Sequence, residues 1–158
     1  MAALSMNALA EKFTANNFGS IFLYTNEAHP GEHYPHLTAM EQKYDNAKDL
    51  RDIYKVSRPI YLDALEGPCH RAFGSMPNMT WIFNKSGTII YKSDWTDVTS
   101  VQMMLDYLLK VKERRRGGER LAPFKVERLD YRVQDHEGFQ NGLARSGPKA
   151  VTEFRDAF

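Results

Sequence analysis

Residues 20–37 read SIFLYTNEAHPGEHYPHL, and the two halves of that stretch differ chemically. Ser20-Ile21-Phe22-Leu23-Tyr24-Thr25 is a nearly continuous apolar run of strong strand formers. Without polar alternation, such a run suits a strand covered on both faces, as in a parallel sheet. From Asn26 to Leu37 the composition changes to Pro30, Pro35 and Gly31 among Glu27, Glu32, His29, His33 and His36. Proline and glycine at that density break regular structure, so this is a loop rich in titratable groups.

Working outward, Met6, Leu9 and Phe13 recur at helical spacing, with Leu4 and Ala8 widening the stripe. A helix is therefore expected from the start to about Asn16, with Gly19 ending the polar stretch after it. Downstream, Thr38-Ala39-Met40-Glu41 reads as a capping box. It opens a helix whose apolar stripe is Met40, Tyr44, Ala47, Leu50 and Tyr54, ending before Pro59. Pro59 to Leu62 is a short strand, followed by a turn and a short helix around Cys69 to Phe73. Met79 to Phe83 and Thr88 to Lys92 flank the tight turn Asn84-Lys85-Ser86-Gly87 and form a β-hairpin. Asp97 caps a last helix with Val98, Val101, Leu105, Leu108 and Val111 on one face. The order α-β-α-β-α-β-β-α predicts an α/β sandwich.

Two units are expected, a folded domain over 1–113 and a C-terminal extension over 114–158. Between them, Arg114-Arg115-Arg116-Gly117-Gly118-Glu119-Arg120 reads as a solvated hinge in preference to an anion-binding patch. Phe124 to Leu129 has the pattern of an extended segment. Phe139, Leu143, Val151, Phe154 and Phe158 fall in short helices split by Gly147-Pro148. So many large apolar residues do not fit a disordered tail, and the extension is expected to dock on the domain or on a neighbouring subunit.

Composition narrows the function. Of 158 residues 42% are hydrophobic, enough for one core. The net charge of +1 excludes a general polyanion binder, so no nucleic-acid partner is expected. Cys69 is the single cysteine, which forbids an internal disulfide or a CxxC pair. No apolar run approaches the ~20 residues that span a bilayer. The first residues lack a signal-peptide pattern, and a cytoplasmic protein is expected.

Two motifs carry a resemblance. Glu27-Ala28-His29-Pro30 follows a strand directly. Further on, Cys69 to Tyr91 contains Ala72-Phe73-Gly74, Pro77, a strand, a Ser-Gly turn and Ile89-Ile90-Tyr91. In that order, the chain over roughly residues 1–110 resembles the iodothyronine deiodinases and their bacterial redoxin-like relatives. The resemblance implies a thioredoxin-like sandwich with an incomplete N-terminus. In that family a cysteine or selenocysteine ends the central strand just before the first helix. Aligned without a gap, it would fall ahead of Met1, and the central strand with it.

That departure leaves three accounts open. The sequence begins downstream of its true start; the chain keeps the fold for binding after losing its redox centre; or chemistry has moved to Cys69 and the histidine loop. The resemblance thus implies either a degenerate binding or assembly subunit, or a deiodinase-like or peroxidase-like oxidoreductase using an external thiol reductant. A missing central strand would expose backbone groups costing ~1–3 kcal/mol each if buried unpaired. Phe124 to Leu129, a second copy or a partner chain would fill the gap, or the strands at 20–25 and 79–83 would close on each other.

By the same resemblance Glu27 and His29 take the catalytic and substrate-holding positions. A carboxylate beside an imidazole can orient it and raise its pKa, whereas the ordinary reading has both fixing the loop. His29, His33 and His36 with Glu27 and Glu32 gather metal-ligand types, but the prolines preclude helical spacing, and no metal is assigned. Cys69, beside His70 at a helix start, is a candidate for a lowered thiol pKa, against the ordinary reading of a small buried group. Met76-Pro77 precedes the third core strand, where the family places a substrate-facing cis-proline; a trans turn is the ordinary alternative. Tyr34, Trp81, Tyr91 and Trp95 could wall an aromatic pocket between His29 and Pro77, although Trp81 and Tyr91 also fit as core residues of the sheet.

Overall fold

The computed structural model describes residues 2–121 and 135–157. The first helix, α1 (Ala2–Thr14), leads into the short strand β1 (Phe22–Tyr24). Then come α2 (Met40–Asp52), β2 (Ile60–Leu62), α3 (Pro68–Ala72), β3 (Thr80–Phe83), β4 (Ile89–Ser93) and α4 (Val98–Arg116). Two further helices, α5 (His136–Ser146) and α6 (Pro148–Ala157), close the chain. The expected segment Phe124 to Leu129 lies outside the described residues.

The strands form two separate two-stranded sheets. β1 runs parallel to β2, with Leu23 opposite Tyr61. β3 runs antiparallel to β4, with Trp81 opposite Lys92 and Ile82 opposite Tyr91. β1 and β3 do not pair with each other, so the alternative in which these two strands close on each other does not hold. The chain is therefore a mixed helix-and-strand fold with small sheets.

The main core lies on one face of the hairpin. Leu9 and Phe13 of α1 meet Val101 and Leu105 of α4, with Ile82 and Tyr91 beneath them. Burying side chains of this size contributes ~1.5–3 kcal/mol each, which explains why two helices far apart in sequence share this seat. Asp97 caps α4 as its sequence suggests, accepting from the Ser100 N–H at 2.7 Å. The helix runs through the arginines to Arg116, so the break begins at Gly117 and not at Arg114. Asn7 ties α1 to the approach of β2: its side-chain oxygen accepts from the Ser57 N–H and from Arg58 Nε at 3.3 and 3.2 Å.

Helix α2 departs from its expected face. Met40 and Tyr44 are exposed and Lys43 is buried, while Ala47 is buried as expected. Its start also differs. Ala39, not Thr38, occupies the N-cap, and the Gln42 side-chain oxygen accepts the N–H groups of Thr38 and Ala39 at 2.9 and 3.1 Å. Gln42 reaches back as the second half of a capping box does, while Ala39 has no oxygen to supply the first half.

Candidate functional site

Strand β1 ends on Tyr24, 6% exposed, and the chain then turns into the EAHP loop. The Tyr24 hydroxyl donates a short hydrogen bond to Glu27. Asn46 Nδ2, on α2, donates to the Tyr24 hydroxyl at 3.1 Å and to Glu27 Oε1 at 3.3 Å. Burial pushes the Tyr24 phenol well above its ordinary value, and the adjacent Glu27 carboxylate adds to the shift. The phenol is thus held as a proton donor and the carboxylate is fixed. Glu27 is engaged by Tyr24 and Asn46; among the described residues no hydrogen bond links it to His29.

His29 faces the other way. Its ring meets Phe139 of α5 and Phe154 of α6 edge-on, with centroids 5.7 and 5.4 Å away. Phe139 and Phe154 also touch each other, at 4.9 Å. The loop is the seat of the C-terminal helix pair. The His33 N–H donates to the Ser146 carbonyl at 3.0 Å, and both Glu32 carboxylate oxygens accept the Lys149 N–H at 3.0 Å, near the start of α6. Two glycines permit this approach. A Cβ on Gly31 would lie 2.1 Å from the Ser146 carbonyl oxygen, and Gly147 needs φ +116, a region costly for other residues. A cleft of about 250 Å³ remains between Ala28-His29-Pro30 and α6.

Tyr34 does not wall a pocket with His29. Its hydroxyl donates to Asp49 Oδ2 on α2 at 2.8 Å. Burial, and then the Asp49 bond, push the Tyr34 phenol up to about 12. Beside it, Arg145 of α5 lies over the Tyr54 ring, 4.8 Å from its centroid. Loop, α2 and C-terminal helices are thereby joined by polar and aromatic contacts.

Cys69 sits at the start of α3, exposed. Its thiol is pushed up, first by desolvation and then by the Asp63 carboxylate. That is opposite in direction to the shift a helix start beside a histidine suggests, because Asp63 and not His70 is the charge against the sulfur. Asp63 is 2% exposed and accepts the N–H groups of Cys69 at 3.1 Å and His70 at 2.8 Å. Burial raises its pKa, but these backbone donors more than offset that, and the carboxyl is held below its ordinary value.

Met76 and Pro77 are exposed, and the structure has no cis peptide bond among the described residues, so Met76-Pro77 is a trans turn. A ring nitrogen of His70 approaches the Met76 carbonyl at 3.3 Å. Trp81 lies on the face of the hairpin away from Ile82 and Tyr91, against Phe73 at 5.3 Å, with Lys92 over its ring. Its indole nitrogen is buried without a hydrogen-bond partner among the described residues. No three His, Cys, Asp or Glu side chains among the described residues stand together as a metal site.

The structure therefore joins Glu27 to Tyr24 and Asn46, and His29 to the C-terminal aromatics. It does not gather Glu27, His29, Tyr34, Cys69, Met76 and Pro77 into one pocket. Tyr24, Lys43, Asn46 and Asp63 were not legible as site residues. The Tyr24-x-x-Glu27 spacing at a strand end was the one signal available for the first of them. No family model, curated protein or solved structure matches the chain.

Proposed function

We propose that this chain is a thioredoxin-like scaffold of the deiodinase-like kind, working as a binding or assembly subunit rather than as a redox enzyme on its own thiol. One observation carries the reading: the strands fall into the halves β2-β1 and β3-β4, parallel and antiparallel, and among the described residues β1 and β3 each have one strand neighbour. One further strand lying between β1 and β3 would join the halves into a single sheet of thioredoxin-like order. The helices support this, with α1 and α4 packed on the hairpin and α2 against β2.

The edge of β1 has a specific donor to offer. The Phe22 N–H and Tyr24 carbonyl are bonded toward the β2 side, at 2.8 Å to Pro59 and 3.0 Å to Asp63. Backbone groups of alternate strand residues point to opposite sides, so Leu23 presents its N–H and carbonyl to the edge that no described strand covers. Strand addition from a second copy or a partner chain satisfies them. The upward shift of the Cys69 thiol speaks against chemistry having moved to that residue.

The experiment is the solution mass of the protein, alone and after capture from its native extract, with hydrogen exchange read at Leu23. We expect a dimer or a stoichiometric complex in which the Leu23 amide is protected. Leu23→Pro, which removes the outward N–H and leaves the bonds to β2, should dissociate it without unfolding the monomer. A folded monomer that captures nothing and exchanges Leu23 freely would overturn the reading.

A further inference from the structure

Lys43 is 1% exposed, and its ammonium has one protein acceptor, the Ala64 carbonyl at 3.2 Å. No ion pair engages it among the described residues. The nearby buried carboxylate, Asp63, is occupied by the Cys69 and His70 N–H groups. An ammonium carries three donors, and beyond a contact with the face of the Tyr24 ring at 5.9 Å the other two have no hydrogen-bond acceptor among the described residues. Burying such a charge without further acceptors is costly, and desolvation duly lowers the Lys43 pKa.

Lys43 lines a cleft of about 160 Å³ beyond the ends of β1 and β2, together with Thr25, His36, Glu66, His70 and Arg71. The volume is well above the ~10–15 Å³ that one water requires. Arg71 donates a short bond to the Glu66 carbonyl, which brings its guanidinium to the rim. The lining thus carries Lys43, Arg71 and the imidazoles of His36 and His70 against Glu66, with the Asp63 carboxylate also acting on Lys43.

We infer that this cleft binds a small oxyanion, the carboxylate or phosphate group of a small molecule, with Lys43 as its floor and Arg71 at its rim. An oxyanion supplies the acceptors that the buried ammonium lacks, and a guanidinium fork matches its oxygens. The site lies beyond the strand ends, apart from the open strand edges, and does not depend on the assembly reading.

The test is calorimetric titration and thermal unfolding with inorganic phosphate and, separately, acetate, at matched ionic strength. Saturable binding of at least one anion is expected, with a melting temperature that rises with its concentration. Phosphate alone, acetate alone, or both would each identify the oxyanion class. Lys43→Met should abolish binding, and Arg71→Gln, at an exposed position that leaves the fold intact, should weaken it about tenfold or more. If neither anion binds saturably to the native protein, or if either folded variant binds as the native protein does, the inference fails.

Discussion

The imidazole of His29 stands edge-on to the Phe154 ring, interplanar angle 90°, so the histidine of the EAHP motif is a packing partner of the last helix. Aromatic edge contacts of this kind contribute beyond the area they bury. Phe154→Ala should therefore loosen α6 from the loop. Because the ring is half-buried, we expect a loss of about 1–3 kcal/mol in denaturant unfolding. The same variant should make His29 more reactive toward diethyl pyrocarbonate. Unchanged acylation of His29 would mean that the C-terminal pair does not shield it.

The element order from α1 to α4 was legible because apolar periodicity and turn residues agree along most of the chain. Asp97 at its cap and Val101 and Leu105 on one face are examples. Reading failed over the first half of α2, where Met40 and Tyr44 of the expected stripe are exposed and Lys43 is buried beside the expected Ala47. Periodicity counts apolar residues, and here the inward face is partly polar: Lys43 reaches Ala64, and Asn46 reaches Tyr24. Those same polar groups build the site, so the misread helix face and the overlooked site residues have one cause. The contacts of His29 were not legible for a different reason. Its neighbours Phe139 and Phe154 are distant in sequence, and no local pattern announces such a contact.

Tyr34 gives the protein an alkaline limit. Its phenol, ordinarily at 10.0, is pushed up to about 12 in the folded state by burial and by Asp49. A folded-state pKa above the unfolded one contributes stability that is complete below pH 10 and lost as pH rises toward 12. Denaturant melts across pH 9 to 12 should show that decline. Tyr34→Phe should flatten it, since the phenylalanine has no proton to lose. An equally steep decline in the variant would assign the loss to other groups, Tyr24 first among them.

Asp63 works in the opposite direction at acid pH. Its folded-state pKa lies below the ordinary 3.8, so the stability it contributes is present above that value and lost as pH falls through the folded one. Asp63→Ala strands the N–H groups of Cys69 and His70 and leaves Glu66 as the carboxylate acting on Lys43. At neutral pH we expect a cost of about 2–4 kcal/mol in urea melts. Asp63→Asn keeps an acceptor, so it should cost less and should remove the acid dependence below pH 4. Parallel acid profiles for native protein and Asp63→Asn would show that this carboxylate does not titrate with unfolding.

The thiol of Cys69 is exposed yet held in its protonated form, by desolvation and by the Asp63 carboxylate. Alkylation proceeds through the thiolate, so exposure and reactivity should separate at this residue. At pH 7.5, iodoacetamide should modify Cys69 more slowly than the cysteine of an unstructured peptide. Asp63→Asn removes the charge that opposes ionisation and should speed the reaction, with the pH midpoint of the rate moving down. The same chemistry bears on catalysis, because reduction of an iodophenol or a peroxide by a dithiol needs an attacking thiolate. If Cys69 instead alkylates faster than the peptide, and Cys69→Ser abolishes a dithiol-dependent reduction, the thiol is the nucleophile and the chain is an enzyme.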